Sequence, residues 1–227
     1  MLFRLDESIT FPHPSLANTD GLLAIGGDLS PERLLLAYQW GIFPWFNEGE
    51  QILWWCPQPR FMLIPEKVKV AKSMRAYFNQ NKYTVTFDTS FAAVMEGCRN
   101  QPRSGQQGTW VTDDIIHAYT QLHRLGVAHS VEVWHNNTLA GGLYGVSLGK
   151  IFFGESMFAR EPNASKFGFI TLCRWLAAHE FWCIDCQIHS EHLATLGAAY
   201  ISSSLFMDLI NKNQQQPTLQ GSWETLL

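Results

Sequence analysis

The residue pattern predicts an α+β protein, with a small N-terminal α/β unit over residues 1–60 and a larger unit over residues 61–227. Three observations carry that reading. Gly, Pro and Trp crowd the first sixty residues, and from Phe61 the hydrophobic pattern becomes regular. Apolar runs at 130–134, 139–146 and 151–153 follow one another across turn residues, as antiparallel strands do. Helical spacings flank these runs, giving the order helix, strands, helix, strand, helix, an α+β order of the kind acyltransferase domains use. A chain of 227 residues is long enough for this two-part division.

In the N-terminal unit, Gly26-Gly27-Asp28 reads as a turn. Ser30 then caps a helix that has Pro31 at its first position and closes at Gly41. Gly41 to Phe46 is an aromatic loop, Leu53-Trp54-Trp55 a short strand, and Cys56-Pro57-Gln58-Pro59 a break. Beyond it, residues 67–80 read as a helix, Tyr83 to Phe87 as a strand and Phe91 to Cys98 as a helix. Gln101 to Gly108 is a polar loop. Thr112 caps a helix with Ile115, Tyr119 and Leu122 on its apolar face, ending at Gly126. After the strand series, Asn163 caps a helix to about His179. Trp182 to Ile188 form a strand, and short helices follow near 191–196 and 203–211. The Gln-rich tail from about residue 213 is expected to be disordered.

Composition narrows the function classes. Five cysteines at scattered spacings suit a reduced, cytoplasmic setting rather than a disulfide scaffold. No apolar run reaches the length of a membrane span, and no leader is expected from Met1 to Asp6. A net charge of −4 argues against a nucleic-acid partner, but its distribution does not. Residues 67–103 place Lys67, Lys69, Lys72, Arg75, Lys82, Arg99 and Arg103 against Asp88 and Glu96, a local basic patch in an acidic chain.

Glu155, in Gly154-Glu155-Ser156-Met157, follows an apolar strand and is expected at a rim that substrate can approach. Asp185 and Gln187 lie in an otherwise apolar strand, where alternation puts both on one face and Cys186 on the other. Two polar groups there serve either a structural network or a site that handles a proton and steadies an oxyanion. Cys183 and Cys186 have thioredoxin spacing but lie within a strand, which argues against redox use. His189 and His192 lack a second ligand pair, so no metal is expected. Trp45 and Trp110 sit in Pro/Gly-rich loops where a large aromatic is hard to bury, and such rings beside a basic patch can stack nucleobases. There is no Walker loop and no pyrophosphate loop of CoA-dependent N-acetyltransferases, so any acyl donor arrives activated by something else and no cofactor is expected.

With these residues in view, the chain resembles the bacterial leucyl/phenylalanyl-tRNA–protein transferases. The resemblance is carried by residues 21–30, Gly41 to Phe46, Gly108 to Thr112, His129 to Trp134, Gly154 to Phe158, Asn163 to Lys166 and Ile184 to Gln187, in the family's order. It implies transfer of Leu, Phe or less readily Met from aminoacyl-tRNA to a protein's N-terminal Arg or Lys, marking the product for N-end rule degradation. The implied fold is a small N-terminal domain on a domain similar to GCN5-related N-acetyltransferases. By the same resemblance the terminal adenosine lies between Trp45 and Trp110, and the amino-acid side chain enters a pocket of Leu143, Phe152, Met157 and Ile184. The catalytic carboxylate and amide match Asp185 and Gln187, the site carboxylate matches Glu155, and the basic helix with Lys69, Lys72, Arg75 and Lys82 meets tRNA. Leu143 stands where Met is often found. A monomer without metal is expected. Two other classes fit the residues less closely: a CoA-dependent N-acetyltransferase and a non-catalytic RNA-binding module.

Overall fold

A computed structural model describes residues 2–101 and 109–226. Arg103, Gly108 and the rest of the expected polar loop over 102–108 lie outside the described residues.

The N-terminal segment forms a four-stranded sheet. Its strands are β1 (Phe3–Leu5), β2 (Leu22–Gly26), β3 (Phe43–Pro44) and β4 (Leu53–Trp55), in the order β1-β2-β4-β3. Helix α1 (Pro31–Gln39) lies between β2 and β3, and the Ser30 hydroxyl accepts the Arg33 N–H as the cap predicts. Leu34, Ala37 and Tyr38 form its buried face.

The rest of the chain builds a seven-stranded sheet. In chain order it contains β5 (Arg60–Leu63), α2 (Lys72–Asn79), β6 (Thr84–Phe87), α3 (Phe91–Arg99), α4 (Asp113–Arg124), β7 (Ala128–His135), β8 (Thr138–Leu148), β9 (Ile151–Ala159), α5 (Ala164–Ala178), β10 (Cys183–Asp185), α6 (Glu191–Thr195), β11 (Ala199–Ile201) and α7 (Ser203–Asn213). The strand order is β11-β5-β10-β9-β8-β7-β6. All neighbours are antiparallel except β9 and β10, which run parallel because α5 carries the chain back between them. The hairpin β7–β8 turns at Asn136-Asn137, both with positive φ, as the Asn pair predicts. Thr112 caps α4 through its hydroxyl, and Ile115, Tyr119 and Leu122 on that helix are fully buried. Among the described residues, no helix is long and apolar enough to cross a membrane.

Several local expectations change. The basic helix starts at Lys72, not residue 67, because Pro65–Lys67 forms a separate 3-10 turn and the intervening chain is irregular. The strand expected over 182–188 ends at Asp185, since Gln187 takes a left-handed conformation (φ 64°) that leaves the ladder. Strands β5 and β11 lack the alternating pattern that sequence reading needs. β5 is buried along its whole length and β11 is only three residues long.

The tail is also corrected. Residues 214–226 are not disordered: they run back over the sheet to place Trp223 in the core with no exposed surface. Its ring stacks on His129 (centroids 3.7 Å apart) and lies 4.2 Å from that of Trp175. Its backbone N–H donates to Asp88 Oδ2 at 2.8 Å, which also meets His129 Nδ1. One large aromatic anchors a polar segment whose composition gives no other reason to fold. Trp223→Ala is expected to destabilise the protein by about 3–5 kcal/mol, the usual cost of emptying a buried aromatic site, as measured by denaturant unfolding.

Candidate active site

A cavity of about 520 Å³ opens between the N-terminal segment and the centre of the large sheet. Its apolar wall comes from directly paired strand positions. Leu143 on β8 faces Met157 on β9, and Phe152 on β9 faces Ile184 on β10. Phe169 of α5 also contributes. Leu143, Phe152 and Ile184 are almost fully buried, so they offer hydrocarbon to the cavity only. Glycine at 145 makes room for the wall, because a Cβ there would stand 2.6 Å from the Phe152 ring. A concave apolar surface with few polar groups suits an apolar side chain.

The polar end is set by an irregularity in the sheet. Between β8 and β9 the register shifts: Gly145 pairs Gly154, and Tyr144 pairs Ser156. Glu155 is the extra residue of that bulge, and a bulge turns a side chain out of its normal alternation. Its carboxylate reaches the cavity and accepts three hydrogen bonds. They come from the Tyr38 hydroxyl (2.7 Å), the Tyr119 hydroxyl (3.1 Å) and Gln187 Nε2 (3.0 Å). The two hydroxyl oxygens also lie within hydrogen-bond reach of each other, but each hydroxyl has one proton and both are given to Glu155. Burial pushes the Glu155 pKa up to about 7; the tyrosines and Gln187 oppose that rise, and the nearby Asp185 charge adds to it. Burial and then the Glu155 charge push both tyrosines well above their usual range, so they act as donors.

Asp185 is placed differently from the sequence expectation. It and Gln187 are not on one strand face, because the strand ends between them. Asp185 is fully buried, does not line the cavity, and is held on both oxygens by Arg60: Nε to Oδ1 at 2.8 Å and Nη2 to Oδ2 at 2.7 Å. Oδ1 also accepts the backbone N–H of Gln187 at 2.9 Å. Burial acts to lower the Arg60 pKa, but the Asp185 charge prevails and holds it above its usual range. A carboxylate so engaged orients the turn and has no oxygen presented to substrate.

Trp45 and Trp110 both line the cavity, but only Trp45 is exposed (38%), tilted against Trp55 at 5.7 Å. Trp110 is 8% exposed and belongs to the core, contrary to the expectation that its loop cannot bury it. Lys69, Lys72 and Arg75 are exposed and none lines the cavity. Lys82 is half-buried with its ammonium 4.9 Å over the Tyr77 ring. Burial drives the Cys183 and Cys186 thiols up, which leaves them protonated and inert. His189 and His192 line the outer cavity. Among the described residues, no three His, Cys, Asp or Glu side chains are grouped to hold a metal ion.

Sequence reading missed Arg60, Tyr38 and Tyr119. Arg60 sits just after a Pro-rich break, and the tyrosines look like ordinary core residues of their helices. Only the pairing across 117 and 36 positions to Glu155 reveals them.

The sequence profile of the family described as leucyl/phenylalanyl-tRNA protein transferase matches residues 62–211, and that of its N-terminal domain matches residues 27–58. The chain belongs to the leucyl/phenylalanyl-tRNA protein transferase family. It is therefore an aminoacyltransferase. A leucyl/phenylalanyl-tRNA–protein transferase from Syntrophus aciditrophicus is 53% identical over 97% of this chain and 92% of its own length. One from Desulfatibacillum aliphaticivorans is 51% identical over 98% and 95%. Two solved structures align at low identity. L-PGS from Bacillus licheniformis aligns with a TM-score of 0.39 at 11% identity, covering 84% of this chain and 59% of that one. A conserved protein from Staphylococcus epidermidis reaches 0.43 at 7% identity, covering 80% and 68%. These scores bear on neither the transferase's fold nor its chemistry.

Burial separates the two tryptophans. Trp110→Ala is expected to cost about 3 kcal/mol or more of stability, whereas Trp45→Ala costs less than about 1 kcal/mol. Paired denaturant titrations check this.

Proposed function

We propose that the protein transfers Leu, Phe and less readily Met from aminoacyl-tRNA to the N-terminal Arg or Lys of acceptor proteins in the cytoplasm, as a monomer, and so marks them for N-end rule degradation. The observation that carries the reading is an apolar cavity ending in a half-buried carboxylate that accepts three hydrogen bonds, one of them from Gln187.

The chemistry needs little from the protein. The aminoacyl ester is already activated, and the nucleophile is the acceptor's α-amine, whose ordinary pKa is about 8. The amine nitrogen bonds to the ester carbonyl carbon, the bond to the ribose oxygen breaks, and the leaving hydroxyl takes up a proton. Alignment and proton acceptance are the protein's share. Leu143, Phe152, Met157 and Ile184 hold the amino-acid side chain, and Leu143 in place of Met reshapes that wall. Trp45 stacks the terminal adenosine, with Trp110 fixing the wall beside it. Lys69, Lys72, Arg75 and Lys82 meet the tRNA backbone, so binding weakens with salt.

At the reacting end, Gln187 commits Nε2 to Glu155, which leaves its amide oxygen to receive an N–H of the amine. Glu155, ionised above about pH 7, attracts the cationic terminus and accepts its proton. Asp185 acts through the Gln187 backbone and not on substrate. The C-terminal part is read as similar to GCN5-related N-acetyltransferases, and the division near residue 60 as a domain boundary. The parallel β9–β10 pair in a mainly antiparallel sheet supports the first, and the separate four-stranded sheet the second.

Labelled Phe-tRNA mixed with peptides starting in Arg or Ala tests the function. Label is expected on the Arg peptide alone and lost when the donor is first treated with RNase. Gln187→Ala should lower turnover by about a hundredfold, the scale of losing one positioned polar group. Activity should rise with pH through about 7 as Glu155 ionises. In Glu155→Gln that limb should vanish, leaving a slower enzyme whose rate follows the amine near about 8.

A further inference from the structure

Arg60 contacts neither the cavity nor any group assigned to substrate, yet its setting is unusually constrained. It is 1% exposed and its partner Asp185 is fully buried. Two rings pack against its guanidinium. Phe43 from the N-terminal sheet lies 5.0 Å away and Phe206 of α7 4.6 Å away. Nε and Nη2 engage the Asp185 carboxylate as a fork. A buried ion pair adds little net stability compared with well-packed hydrocarbon, so its main physical effect is to fix geometry.

We propose that Arg60 is a positioning residue for the transfer reaction: it fixes Asp185, and through it the turn that brings the Gln187 amide to Glu155.

The chain of contacts is continuous. Asp185 Oδ1 takes Arg60 Nε on one side and the Gln187 N–H on the other. Gln187 occupies a left-handed conformation, φ 64°, which a residue with a Cβ keeps only when its surroundings enforce it. The strand that carries Arg60 supplies that enforcement a second time. Phe61 N–H donates to Gln187 O at 3.3 Å, and Cys186 N–H donates to Phe61 O at 2.9 Å. From this turn the Gln187 side chain spans to Glu155. Lysine at 60 keeps the charge but presents a single ammonium that cannot grip both oxygens in a plane. The proposal rests on the reading that Gln187 and Glu155 serve the transfer.

Steady-state transfer with the full chain, Phe-tRNA and an Arg-initial peptide tests it. Arg60→Lys is expected to lower kcat by up to about a hundredfold, as small misalignments do, with KM for both substrates within about threefold and an unfolding transition that stays cooperative though shifted to lower denaturant. Its lower pH limb should move upward, because Glu155 loses the Gln187 N–H that favours its ionised form while the Arg60 charge is preserved. Arg60→Met leaves Asp185 buried and unpaired, so it is read with the double variant Arg60→Met/Asp185→Asn. The double variant should fold and be no slower than the slower single, since the pair acts as one unit. Arg60→Lys within about twofold of the parent with an unmoved limb overturns the proposal, as do single losses that multiply in the double. Gln187→Ala, run alongside, separates the two readings. If it is slow while Arg60→Lys is normal, only the role of Arg60 falls. If it is itself near normal, the reading of the site falls with it.

Discussion

Arg60 and Asp185 meet where three parts of the chain converge, and the polar end of the cavity hangs on their contact. Neither ion sees water. Each needs the other, because an unpaired charge at that depth would be costly. The pair joins β5 to the end of β10, while Phe43 and Phe206 bring the N-terminal sheet and α7 onto the same guanidinium. A turn stabilised this way can hold Gln187 in a conformation that its sequence does not favour.

The bulge at Glu155 works against stability and for chemistry. An ordinary pairing would let β9 alternate cleanly and point this residue to one face. The extra residue instead turns the carboxylate among Tyr38, Tyr119 and Gln187, away from bulk water. Its pKa in the fold, about 7, stands above the ordinary glutamate value of 4.5. The unfolded chain therefore gives up this proton first as pH rises, so stability from this group is complete at low pH and falls between the two values. A carboxylate that ionises near neutrality is suited to exchanging a proton with an amine of similar basicity.

The N-terminal sheet helps to build the cavity and is not an appendage to it. Phe43 and Trp45 line the cavity, and Tyr38 supplies a donor to Glu155 from α1. Tyr119 answers it from α4 on the other side. Glu155 is therefore gripped by both halves of the chain at once.

Much of the fold could be read from local rules. The caps at Ser30 and Thr112, the Asn136-Asn137 turn and the strand series from 130 depend on neighbours within a few positions, and they stand where expected. The pocket positions Leu143, Phe152, Met157 and Ile184, carried over by resemblance, do line one cavity. Burial and partnership are different in kind. The sequence could not tell that Trp110 and Trp223 are core residues, that Asp185 is sealed behind Arg60, or that two tyrosines serve a glutamate far along the chain. Those outcomes rest on contacts between segments that no periodicity links. The local pattern of residues determined most of the elements that form, while the cavity positions came from the family resemblance and not from that pattern. Only the tertiary structure decided which carboxylate faces the cavity, because that follows from where the strands end and shift register against one another.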